Sequence, residues 1–170
     1  MKALFDLSGG LSAALAGIVR VLIALMIIIV ISDVAMRNLG FRPLSWAISV
    51  SEYILMYSAF LPMPWLVRTK GHVFVEFLRN AMPSGARNVL EKIVYLTCII
   101  LCLYLGSIAL TSALDALATG DYETRTFDMP KWAVFLPMII GFFLSALEWL
   151  RYLLGFDTLY NLNPLEVEGL

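Results

Sequence analysis

The sequence predicts an all-α integral membrane protein: four transmembrane helices, plus a short amphipathic interfacial helix between the second and third. Three observations lead there. The 170 residues are 61% hydrophobic and only 15% charged, whereas a soluble domain is about 45–50% apolar and about 25% charged. Four apolar runs reach the ~20 residues that a helix rising ~1.5 Å per residue needs to cross a bilayer core. The runs are continuous rather than alternating, which excludes membrane β-strands. Residues 1–170 therefore read as a single membrane domain.

The first span is expected over 11–36. Asp6 and Ser8-Gly9-Gly10 interrupt the early apolar run, and the hydrophobic stretch then continues to Ser32, far past Ala14-Leu15-Ala16. That length reads as a retained helix rather than a cleaved signal peptide. Gly40 and Pro43 separate it from the second span, 46–67, in which Pro62 and Pro64 predict a kink or an end. Pro83, Ser84 and Gly85 precede the third span, 88–114, and Asp128-Met129-Pro130 precedes the fourth, 132–154, which Pro137 should bend. No internal repeat is visible, which counts against a self-contained transporter built from two halves.

Basic residues set the expected orientation. Arg68, Lys70, Arg79 and Arg87 fall between spans two and three, while the last connection carries Asp115, Asp121, Glu123 and Asp128 against Arg125 and Lys131. The positive-inside rule then puts the middle connection and both termini in the cytoplasm. A net charge of -1 gives no footprint for nucleic acid.

Ionisable groups within spans are costly and each needs a reason. Asp33 and Arg37 stand at i and i+4, one helix face, where they would pair. Glu52 lies two turns into the second span; a relay role and a helix-locking role compete for it, and one carboxylate without further polar groups favours the second. Arg20, Glu148 and Arg151 are expected to snorkel to the interface, with Trp46, Trp65, Trp132 and Trp149 as an aromatic belt. Ala13, Gly17, Gly106, Ala109, Ala113, Gly141 and Ser145 are small enough to mark helix contacts. Cys98 and Cys102, at i and i+4, carry the alternative reading of a four-helix membrane thiol oxidoreductase. A continuous helix does not readily close a disulfide at that spacing.

Between spans two and three stands "LVRTKGHVFVEFLRN". On a helix over 73–80, Val73, Phe74, Phe77 and Leu78 share a face opposite Glu76, Arg79 and Asn80, as an interfacial helix on anionic lipid requires. His72, the lone histidine, has no second histidine, cysteine or acidic cluster for a metal site and no nucleophile beside it. With Arg68, Lys70 and Arg79 it reads as part of the cytoplasmic interface. No catalytic, metal, substrate or cofactor site is expected.

The order of these features resembles the small membrane subunit (DctQ-like) of tripartite ATP-independent periplasmic (TRAP) transporters. The resemblance rests on Arg37 after the first span, "WAISVSEYILMY" with Trp46 and Glu52, "RTKGHVFVEFL" and "FDMPKWAVFLPM". The Pro-Met-Pro at 62–64 departs from the family pattern. The resemblance implies a non-catalytic scaffold subunit in the bacterial inner membrane. Its partners would be a large multi-span subunit, which moves an organic acid such as sialic acid or a dicarboxylate with sodium, and a periplasmic binding protein. Asp121, Glu123, Arg125 and Asp128 would lie on the docking side.

Overall fold

The computed structural model describes residues 2–71, 84–124 and 128–157. His72, Arg79 and the interfacial helix expected over 73–80 lie outside the described residues, as does Arg125. The elements are α1 (Lys2–Asn38), α2 (Ser45–Phe60), α3 (Met63–Arg68), α4 (Ser84–Thr119), the short strands β1 (Tyr122–Glu123) and β2 (Met129–Pro130), and α5 (Lys131–Leu153). The regular structure of the described residues is otherwise helical, and β1 and β2 pair antiparallel, Tyr122 opposite Pro130 and Glu123 opposite Met129.

Among the described residues three helices, α1, α4 and α5, are long and apolar enough to cross a membrane. The second expected span differs, because it is divided. α2 has 16 residues, about 24 Å at ~1.5 Å each, short of a ~30 Å hydrocarbon core. Pro62 and Pro64 cannot donate to the carbonyls four residues earlier, so the helix stops at Phe60 and restarts as α3. α1 and α4 are longer than expected, beginning at Lys2 and Ser84.

α5 lies at the centre, packed against α1, α2, α3 and, most extensively, α4. Small residues allow the close approaches. Gly106, Ala109 and Ala113 of α4 are buried, and Gly106 sits against Phe142 and Phe143 of α5. Ala13 is exposed and Gly17 only half-buried, so the contact face of α1 is instead Ser12, Ala16 and Val19. Val67, Tyr95, Cys102, Ala146, Trp149 and Tyr152 form the core where α3, α4 and α5 meet. Trp149 therefore belongs to the interior, tilted against Tyr95 and Tyr152 with ring centroids about 6 Å away, rather than to an aromatic belt.

Two proline-orphaned carbonyls at the α2–α5 contact, those of Ala133 and Phe60, face the opposite helix. Pro137 cannot donate to Ala133, and Tyr57 Oη of α2 donates to the Ala133 carbonyl at 2.8 Å instead. Pro64 cannot donate to Phe60, and Gly141 of α5 lies directly on the Phe60 carbonyl, where any Cβ would collide with it. A Cα–H directed at a carbonyl is a weak hydrogen bond.

Helix ends are closed by left-handed residues that let the last amides reach back to free carbonyls. Gly40 and Gly155 do this for α1 and α5 with φ of 76° each. α3 uses Lys70 there, at φ 59°, with Gly71 N–H donating to Leu66 O at 2.9 Å.

Candidate functional site

The polar centre of the described residues is Glu148, on the face of α5 that also carries Gly141 and Ser145. It is 0% exposed, which corrects the expectation of an interface anchor reaching to water. The reason is the early start of α1: its first three turns cover the carboxylate. Ser8 Oγ donates to Glu148 Oε1 at 2.8 Å, and Arg68 Nη1 reaches the same oxygen at 3.2 Å. Arg151 Nε stands 3.7 Å from Oε2, an ion pair without hydrogen-bond geometry. A buried carboxylate is tolerated only when countercharge and donors surround it.

Arg68 joins three elements. It leaves α3, pairs with Glu148 on α5, and donates through Nη1 to the Phe5 carbonyl of α1 at 2.7 Å. Its guanidinium lies on Gly9, so closely that a Cβ there would fall inside it. Around this centre, Arg151 donates to Asp157 Oδ2 at 2.7 Å, Lys70 Nζ lies 3.4 Å from Asp157 Oδ1, and the Phe5 and Phe156 rings stand 5.4 Å apart. Tyr152 Oη closes the end of α3 by donating to Val67 O at 2.8 Å. Arg20 lies over Trp65, 5.3 Å from the ring centroid. Arg68 and Lys70, expected on the membrane surface, are thus largely drawn into a helix-joining cluster.

A second polar group lies at the opposite end of α1. Asp33 is buried, with Oδ2 2.7 Å from Arg37 Nη2 and Oδ1 accepting the Leu44 N–H at 2.8 Å. Leu44 is the N-cap of α2 and its apolar side chain caps nothing; the Asp33 carboxylate instead satisfies the N-cap residue's own N–H and ties the start of α2 to α1. Glu52 is exposed, one turn from Ile48, along a groove of about 240 Å³ shared with Val30, Asp33 and Ser51. On the far side of α2 a groove of about 460 Å³ is lined by Ile18, Leu22, Tyr53, Ile54, Tyr57 and Leu61.

In the α4–α5 connection Asp121 pairs with Lys131, Nζ to Oδ2 3.4 Å, and Lys131 N–H donates to Asp121 O at 3.0 Å. Asp128 is exposed and Glu123 half-buried. Cys98 and Cys102 are free thiols, Cys102 within the core. Among the described residues no group of three or more His, Cys, Asp or Glu could hold a metal ion.

Glu148 is the residue that local reading misplaced. A signal existed: Gly141, Ser145 and Glu148 follow one another at helical spacing on one face, and the first two were already assigned to helix contacts. Its partners, 140 and 80 residues away, leave no local trace.

The comparisons with known proteins agree on one family. Residues 26–156 match the family described as "Tripartite ATP-independent periplasmic transporters, DctQ component". The sialic acid TRAP transporter permease protein SiaT of Haemophilus influenzae (strain 86-028NP) is 30% identical over 81 residues, which are 46% of this chain and 13% of the relative. No solved structure matches. With most of its length matched, and with apolar helices able to cross a membrane, this chain belongs to the DctQ-component family of tripartite ATP-independent periplasmic transporters.

Proposed function

We propose that this chain is the non-catalytic small membrane subunit of a TRAP-type, sodium-coupled transporter for organic acids. It scaffolds a large substrate-translocating subunit and helps a periplasmic binding protein dock. The family match over residues 26–156 carries this reading. The relative whose matched segment is only 13% of its length is itself called a permease, which supports work beside a much larger membrane part. The geometry is in keeping: Glu148, Arg68 and Asp33 bind helices to one another, a static use of buried charge, while α1 and α4 turn rows of Ile, Leu and Val outward.

In this reading α2 and α3 together form one broken crossing, giving four crossings with both termini in the cytoplasm of a bacterial inner membrane. The Glu148 cluster is then cytoplasmic. Arg68, Lys70 and His72 precede a bracing helix over 73–80 on the lipid surface, with Arg79 on its polar face, and Asp121, Glu123, Arg125 and Asp128 face the periplasmic binding protein. Asp33, Arg37 and Glu52 are structural.

The test is reconstitution. Vesicles holding this chain with its large subunit should take up a sialic acid or a dicarboxylate when binding protein and a sodium gradient are present. Vesicles lacking this chain should lose uptake. Uptake by this chain alone would replace the scaffold reading with that of a self-contained carrier.

A further inference from the structure

We infer that the outer flank of α1 docks a transmembrane helix of the large subunit, and that a carboxylate on that helix meets Arg20. The identity of the partner rests on the transporter reading above; the chemistry asked of it comes from this chain.

Arg20 is the middle residue of α1, Lys2–Asn38. It falls between the two polar ties of that helix, the Arg68 contact at Gly9 and the Asp33 bond to Leu44. Those ties lie about 16 and 20 Å away along the helix at ~1.5 Å per residue, so an apolar layer ~30 Å thick surrounds Arg20. Charged side chains at such depth face a bundle interior or a water-filled cavity and pair with one another or with carbonyls. Arg20 is exposed. Among the described residues it meets the face of Trp65, 5.3 Å from the ring centroid, and no carboxylate or carbonyl. The ring attracts the cation but leaves five N–H donors without a strong acceptor. A lipid phosphate has the right charge, but it lies at the edge of the apolar layer rather than near its middle.

The surface around Arg20 suits a helix. Ala13, Gly17, Arg20, Ala24, Ile27 and Ile31 recur at alternating steps of four and three, the seam of left-handed helix packing. None of the six is buried, and a Cβ at Gly17 would meet nothing within 4 Å. Small residues on such a seam let a neighbouring backbone come close. A second copy of this chain would bring no suitable acid. α1 has none between Asp6 and Asp33, α4 none between Glu91 and Asp115, and α5 none before Glu148; Glu52 of α2 lies beside Asp33, toward the other end. The carboxylate therefore belongs to a different chain.

The test uses the chain co-expressed with its large subunit. A photo-crosslinking residue in place of Ile27, one heptad from Arg20, should capture the large subunit at an apolar span that carries Asp or Glu. Arg20→Glu should lower the large subunit retained on affinity purification at least tenfold, Arg20→Leu by a smaller factor and Arg20→Lys least. Changing the acid of the crosslinked span to Arg should restore retention in the Arg20→Glu chain. The chain purified alone should unfold no earlier with Leu than with Arg at position 20. Lost retention matched by an equal loss of the chain's own stability would make Arg20 a residue of the fold and overturn the inference. Retention unchanged in Arg20→Glu, or a crosslink to lipid alone, would overturn it while leaving the transporter reading in place. An unaltered chain that retains no large subunit would overturn both.

Discussion

At the scale of single residues, buried charge is used where the backbone leaves something unmet. Asp33 accepts the Leu44 N–H that begins α2 and holds Arg37 with its other oxygen. The two functions separate by substitution. Asp33→Asn keeps an acceptor for Leu44 and loses the i, i+4 ion pair with exposed Arg37, a spacing worth ~0.3–0.5 kcal/mol on a helix. Asp33→Ala also loses a hydrogen bond to a charged group, about 1.5–3 kcal/mol. Thermal unfolding of the detergent-solubilised chain should rank Ala well below Asn. Lys70 makes the opposite trade: its left-handed backbone costs ~1–2 kcal/mol, against an ion pair with Asp157 of roughly 0.2–1 kcal/mol. Lys70→Gly should therefore raise stability slightly and Lys70→Val lower it, in the same unfolding measurement. The Asp33–Arg37 spacing was legible because it is local. Glu148 was not, since burial depends on which distant segment covers a residue, and here the cover is Ser8 on turns assigned to a region before the span.

At the scale of elements, propensity was a good guide to where apolar helices run and a poor one to where they start. Ser8-Gly9-Gly10 reads locally as a break, yet α1 continues through it to Lys2, where Ser8 bonds Glu148 and the Phe5 carbonyl bonds Arg68; packing overrides propensity. The prolines at 62 and 64 were legible as a break, and the structure divides the span there. What the sequence could not show is that α2 and α5 face each other across their proline defects. Tyr57→Phe should cost about 0.6 kcal/mol, and up to ~1.7, the range for hydrogen bonds between membrane helices. In a Pro137→Ala background residue 137 regains an N–H for the Ala133 carbonyl, so the Tyr57→Phe cost should shrink. A double-mutant cycle measures that coupling; additive costs would mean that the hydroxyl serves some other group. Gly141→Ala should be more damaging than either, because the Phe60 carbonyl belongs to backbone and cannot swing aside.

At the scale of the whole molecule, the outward rows of Ile, Leu and Val on α1 and α4 fit lipid or a partner chain. Accessibility labelling of single cysteines placed at Leu4 and at Asp128 should find them on opposite sides of the membrane; labelling from the same side would leave an odd number of crossings undone. The central position of α5 also bears on how the protein is made. It is the last of the described helices to leave the ribosome, and the others rest on it, through the Glu148 cluster, the Tyr57 bond and the aromatic core. Until it arrives, Ser8 and Arg68 lack the Glu148 carboxylate, and α1 and α3 are joined by the Arg68 bond to the Phe5 carbonyl without the helix that carries the shared core. Synthesis from the N-terminus thus ends in one late docking event. Chains stopped before residue 131 should insert but remain unassembled and open to proteolysis, as substrates for membrane quality control.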